Sequence, residues 1–279
     1  MKHWLLTIML MMCCQGWCTV SAAEPFGTVD ALSGAASAAS GDSTDEIALA
    51  VGSQVSTGQT ITTGHDTELH IVTLDGAFLA LRPDTTFRVD EYKADADADA
   101  DKVFMTLLKG SLRSITGWIG KYNPHAYRLT TPTAVIGIRG TDHETTVIEE
   151  SGPQPGTDEA GTYDTVNEGK TVLSNAQGET EVTPGRHAFS AWHNRIAPLF
   201  LNKRPDFWLH RALRIENRIA ARKASLFQHI EQLRNERRQA RLSTAADNRI
   251  EKQQARRERI QERRADKARN RKKHMDAGN

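Results

Sequence analysis

The chain predicts a mainly β fold, a short-strand roll, sandwich or β-helix, followed by a long α-helical C-terminal segment. Short apolar runs punctuated by glycine fill the stretch from about residue 50 to 200 without helical periodicity. Residues 206–277 then contain no glycine or proline and are rich in Ala, Arg, Glu, Gln and Leu. Charge divides at the same place. The net charge of the 279 residues is +1, yet 21 of the 36 basic and 10 of the 35 acidic residues lie in 206–279, net +11, leaving net −10 before them. Such asymmetry points to an interaction tail.

The first segment reads as an address. Lys2 is followed by an apolar run from Leu5 to Cys14, and Ser21-Ala22-Ala23 offers the small residues that precede a signal-peptidase cut before Glu24. Residues 1–23 are therefore expected to be a cleaved signal peptide and the protein to be periplasmic, with a surface or secreted location also open. The apolar run is shorter than the roughly 18 residues a bilayer span needs, and no later stretch reaches that length, so no membrane span is expected after signal removal. All three cysteines, Cys13, Cys14 and Cys18, lie inside this segment. The exported chain would then hold no disulfide, thiol nucleophile or thiolate metal site.

Residues 24–49 are expected to be a flexible lead-in, because the small-residue stretch Ser33–Ser43 has little to bury. The β domain, 50–200, opens with short strands around Val55 and Ile61. Glu68–Leu74 then enters Asp75-Gly76, expected as a type I′ hairpin turn, and Phe78–Leu81 follows. After the Pro83-Asp84 turn, Phe87, Val89 and Glu91 are expected on one face of a half-exposed strand. Eight further strands are expected at 103–108, 112–115, 127–130, 134–138, 145–148, 163–166, 171–173 and 181–183, with glycines at the corners.

The glycine-spaced residues from Gly52 to Gly64, Leu74-Asp75-Gly76-Ala77 through Pro83-Asp84-Thr85, Leu108-x-Gly110-Ser111-Leu112-Arg113, and Thr131-Pro132-Thr133-Ala134-Val135-Ile136-Gly137-Ile138-Arg139-Gly140-Thr141 resemble, in order and spacing, the FecR-type periplasmic domain. The resemblance covers about residues 50 to 190. It implies a β-rich exported sensor or scaffold domain without catalytic machinery. The best-known members contact a TonB-dependent receptor and signal through one membrane helix to a sigma factor. Here an export signal stands where their sigma-binding segment and membrane helix would be, so the chain resembles the stand-alone exported members.

Three local motifs invite chemistry. Gly137-Ile138-Arg139-Gly140-Thr141 could cradle an anion through backbone N–H groups, although it lacks a Walker lysine and no helix obviously follows. Asp142-His143-Glu144 has metal-ligand and acid–base residue types, but strand alternation sends Asp142 and Glu144 to one face and His143 to the other. Otherwise this triplet is surface polar packing. Asp95, Asp97, Asp99 and Asp101 copy the first ligands of a calcium loop, whose turn glycine and final glutamate would fall on Ala100 and Thr106. No nucleophile elbow, phosphate loop or zincin motif occurs. Non-enzymatic chemistry without cofactor or metal is the expectation.

The tail, 205–275, carries Ala212, Ile215, Ile219, Leu226, Ile230, Leu233 and Ala240 close to a 3-4 spacing, which suits packing or homo-oligomerisation. Arg256, Arg257, Arg259, Arg263, Arg264, Lys267 and Arg269 form a basic stripe beyond it. Its expected partners are an envelope protein or an anionic cell-surface polymer, with a receptor or membrane regulator as the signalling option. Nucleic acid is disfavoured because no aromatics interleave. The expectation is a binding, sensing or scaffold module of the cell envelope; the alternatives are a component of receptor-linked sigma-factor signalling and a metal- or calcium-dependent binding or hydrolytic protein.

Overall fold

A computed structural model describes residues 23–41, 45–94, 100–150, 159–193 and 195–205, together with Phe207 and residues 228, 231–232, 235–236, 238–240, 242–244, 249–250, 252–256 and 259. The protein is mainly β. Its strands run β1 (Pro25–Ser33), β2 (Ala36–Ser40), β3 (Ile47–Ala48), β4 (Gln54–Ser56), β5 (Gln59–Thr63), β6 (Glu68–Thr73), β7 (Phe78–Leu81), β8 (Thr86–Lys93) and β9 (Lys102–Ile115). A short helix α1 (Trp118–Tyr122) and a 3-10 turn (Pro124–Ala126) precede β10 (Tyr127–Thr130), β11 (Val135–Ile148), β12 (Gly161–Asn175), β13 (Gly178–Val182), β14 (His187–Ala191) and β15 (Leu199–Phe200).

These strands form one hydrogen-bonded sheet that rolls over a single large core. Three long strands, each expected from the sequence as two short ones, make the roll. Before Gly110, β9 pairs with β8 and with β10; after it, β9 pairs with β7 and β11. Gly110 has φ 84°, a conformation that only glycine adopts without strain, so the chain bends there without ending the ladder. β11 and β12 bend likewise at Gly140 (φ 59°) and Gly169 (φ 77°), where their mutual register shifts. The glycine punctuation marks corners inside strands.

One layer, in the order β1-β6-β7-β9-β11-β12-β14, is closed on both faces. All of Phe78–Leu81, Ser111–Ile115 and Thr141–Val147 is buried. The strands of the other layer alternate, as in β8, where Phe87 and Val89 are buried and Arg88 is exposed. The ladder shifts between Val89 and Glu91, so Tyr92 faces inward and Glu91, expected on the buried side, faces solvent.

Residues 24–49 are not a simple flexible lead-in. β1 pairs with β4 and β6, and β2 pairs along its whole length with β5, with Ala36 and Ala38 buried on the core. Small side chains here permit close approach: a Cβ on Gly27 would meet the Val72 carbonyl oxygen at 2.5 Å. The β6–β7 hairpin is present, but Gly76 (φ 75°) alone takes the left-handed conformation, so its turn is a type I turn closed by glycine, with Gly76 N–H donating to the Thr73 carbonyl. Asp75 is held otherwise: its carboxylate is fully buried and accepts the hydroxyls of Thr73 and Tyr92.

Described residues of the predicted tail, such as 238–240, 242–244 and 252–256, are helical and exposed. A continuous long helix is not shown, and the rest of the segment lies outside the described residues, as do residues 1–22 and Asp95, Asp97 and Asp99. Among the described residues no helix is long and apolar enough to cross a membrane.

Candidate functional site

β11 carries the residues singled out in the sequence, and its neighbours are set by register. Asp142 stands opposite Ile115, His143 opposite Ser114, Glu144 opposite Arg113, Thr145 opposite Leu112 and Thr146 opposite Ser111. On the other side Glu144 meets Thr165 and Thr145 meets Asp164. Alternation separates Asp142 and Glu144 from His143, as the sequence implies. Both groups are nevertheless buried, where surface packing was expected.

On the outer face, Arg113 grips Asp142 with two parallel bonds, Nε to Oδ1 at 2.9 Å and Nη2 to Oδ2 at 3.0 Å, and Asn167 Nδ2 donates to the same carboxylate. Arg82 Nε lies 3.4 Å from Glu144 Oε1, which also accepts the Ser111 hydroxyl. A fork-to-fork guanidinium pair is the geometry that offsets burying two charges.

On the inner face, His143 Nδ1 lies 3.0 Å from Asp164 Oδ1, and both side chains are fully buried. Asp164 also accepts the hydroxyls of Thr145 at 2.9 Å and Thr171 at 2.5 Å. Histidine, carboxylate and hydroxyl have the composition of a hydrolytic triad. Here they are sealed among Leu79, Leu112 and Val166, so the cluster ties β11 to β12 inside the core.

The anion-cradle stretch lies within β11 and bends at Gly140. Gly137 and Ile138 lie in the β10–β11–β12 ladder, Arg139 is exposed, and the Thr141 N–H already donates to Thr116 Oγ1 at 2.7 Å. A nest needs successive free N–H groups, and the Thr141 N–H at the end of the stretch is already taken by Thr116. Thr131-Pro132-Thr133-Ala134 is a pinned turn. Thr131 and Thr133 each bond the Thr162 hydroxyl, and Ser190 donates to the Thr133 carbonyl. A shallow cleft of about 340 Å³ opens beside it, lined by Thr131–Val135 and Ser174–Ala176, with no titratable side chain.

Helix α1 escapes sequence detection because its five residues are too few for a period. It closes over the Asp75 turn, with Trp118 N–H donating to the Asp75 carbonyl at 3.0 Å. Gly117 allows this approach: a Cβ there would lie 2.3 Å from Asp75 Oδ2. Burial raises the Asp75 carboxyl above its ordinary range against the opposing hydroxyl and backbone N–H bonds, and burial raises the Tyr92 and Tyr127 phenols as well. Burial, with Arg204 nearby, lowers His187.

Arg82, Asp164, Thr145 and Thr171 complete these networks and carry no motif, and Arg113, although it ends the Gly110-Ser111-Leu112-Arg113 block, meets Asp142 from a strand far away in sequence. Among the described residues no group of three His, Cys, Asp or Glu side chains could hold a metal. Of the basic stripe, Arg256 and Arg259 are exposed helical residues, whereas Arg257, Arg263, Arg264, Lys267 and Arg269 lie outside the described residues.

Residues 59–157, spanning β5 to β11 and with them Arg82, Arg113, Asp142, His143 and Glu144 but not Asp164, Asn167 or Thr171, match the family described as FecR protein. Over this third of its length the chain is similar to a FecR-type domain. No curated protein matches it. Two crystal structures, each of "a putative anti-sigma factor" from Parabacteroides distasonis ATCC 8503, are similar over part of their length. The first has 14% identity over 54% of this chain and 64% of that one, with a TM-score of 0.41. The second has 15% identity over 52% and 59%, with a TM-score of 0.39. The chain thus spans less than two thirds of either protein.

Proposed function

We propose that the protein is a non-enzymatic binding, sensing or scaffold module of the bacterial cell envelope, exported by residues 1–23 and working in the periplasm. The FecR match over residues 59–157 carries this reading. The buried polar residues support it, because Asp142, His143 and Glu144 are engaged in holding strands together. The basic C-terminal stripe attaches the module electrostatically to an anionic envelope polymer or acidic protein. Oligomerisation through the helical segment is part of the same proposal.

A second reading, a signalling or regulatory component acting with a receptor and a separate membrane regulator, is favoured by the same family match. Cell fractionation and pull-down with the intact chain and with a variant ending at Leu242, each at low and high salt, test both. Attachment that needs residues 243–279 and fades with salt supports the electrostatic anchor. Salt-resistant retention of a receptor or membrane regulator by the Leu242 variant supports signalling. Loss of the envelope association in neither condition overturns the anchor.

A further inference from the structure

The roll ends on an open edge. Among the described residues β15 pairs with β14 alone, Phe200 opposite Ala188 and Leu199 opposite Phe189. The Leu201 N–H donates to the His187 carbonyl at 2.9 Å, so Leu199 and Leu201 turn their bonds toward β14, and alternation turns the N–H and C=O of Phe200 outward. Leu199 and Phe200 are 40% and 41% exposed, one on each face of the sheet, and Ile196 just before them is 59% exposed. The approach to the edge is fixed, with Asn175 Nδ2 donating to the Ile196 carbonyl and the Thr180 hydroxyl to the Pro198 carbonyl. Charge at the edge has one sign. Residues 182–205 hold Arg186, Arg195, Lys203 and Arg204, all exposed, and no Asp or Glu. Arg186 lies over the Phe200 ring, 4.1 Å from its centre. On neighbouring segments Glu181 is held by Lys170 at 2.7 Å, and Glu150 lies 3.5 Å from His193.

We infer that β15 receives an acidic, extended peptide segment of a partner protein as an added strand. An open edge offers main-chain bonds to a strand of any sequence, and here the Phe200 N–H and C=O are the groups an antiparallel strand would meet. Pro198 and Pro205 bound the edge, since neither has an N–H to give, so the added strand is short. Side chains must then supply much of the affinity. Leu199 and Phe200 offer apolar contact on opposite faces, which suits a strand of alternating residues, and the four cations select carboxylates. The same cations exclude a second copy, because pairing β15 with itself would bring Arg186, Lys203 and Arg204 against their own equivalents. The site uses no residue of the basic stripe, so it gives the binding reading above a second contact that does not need the tail.

Binding of a labelled peptide alternating glutamate and valine to the purified intact chain, read by fluorescence anisotropy at low and high salt, tests this. The expected result is saturable binding that weakens with salt, with a peptide alternating lysine and valine bound at least about tenfold more weakly. Phe200→Pro removes the outward N–H while sparing the bonds to β14, and should weaken binding at least about tenfold; Phe200→Val keeps the N–H and should retain more of it. If Phe200→Pro fails to fold, exchange of the Phe200 amide in the wild-type chain should still slow at least about tenfold when the acidic peptide saturates it. No binding of the acidic peptide, equal binding of the lysine peptide, or unchanged exchange at Phe200 overturns the inference. Full retention by a folded Phe200→Pro variant also overturns it, by showing that recognition does not run through the strand edge. The salt-dependent attachment of the tail stands or falls separately, since Phe200 takes no part in it.

Discussion

Gly169 crosses Gly140 so closely that a Cβ built on Gly169 would lie 2.1 Å from the Gly140 carbonyl oxygen. The contact joins the bends of β11 and β12, and it has a built-in control. Gly185 has the same φ of 77° with nothing within 4 Å. Gly185→Ala should cost about 1–3 kcal/mol, the strain of a left-handed residue. Gly169→Ala should cost clearly more, because backbone must move as well, and urea titrations of both variants measure the difference. Equal losses would show that the crossing has room to relax.

The Arg113–Asp142 pair is buried at both partners. Arg113→Ala leaves a carboxylate without its main cation and is expected to destabilise by about 3–5 kcal/mol. Arg113→Met with Asp142→Leu removes both charges and should recover most of that loss. A double-mutant cycle in urea checks it; a double variant as unstable as the single would contradict the pairing argument.

Asp75 sets a pH dependence. Its folded carboxyl is raised above the ordinary value of 3.8 by burial. The folded state therefore holds its proton more tightly than the unfolded state. Its contribution is fully present below pH 3.8 and is lost as pH rises through the folded value, by up to about 1.4 kcal/mol per pH unit within that window. Asp75→Asn cannot ionise, so the stability of wild type relative to the variant should decline as pH rises from 3.8. A pH-independent difference in unfolding free energy would refute the assignment.

The basic stripe gives a salt slope. Replacing Arg256, Arg257 and Arg259 with glutamine should weaken adsorption to vesicles containing anionic lipid and flatten its dependence on salt, since screening acts on exposed charge. Co-sedimentation across a salt series reads both effects. An unchanged slope would place any attachment elsewhere.

Much of the β domain was legible because its signals are local. The Asp75-Gly76 turn, the alternation at Phe87 and Val89 and the glycine spacing all lie within a few residues of one another. The turn type was not legible, since Asp75 is held by Tyr92, seventeen residues away. Long strands read as pairs of short ones because glycine marks a bend and a strand end with the same letter. The small-residue strands β1 and β2 looked like linker, as their burial depends on β5 and β6. Alternation alone separated His143 from Asp142 and Glu144, but nothing nearby announced that Arg113 pairs with Asp142 or Asp164 with His143, so burial of the triplet came only with the fold.

Gly110 has one more consequence. Because the backbone of β9 belongs to one layer before that residue and to another after it, neither layer can melt while the other keeps all its pairs. Proteolysis should accordingly find an intact roll or an open chain, with no stable half-domain fragment cut between β8 and β10.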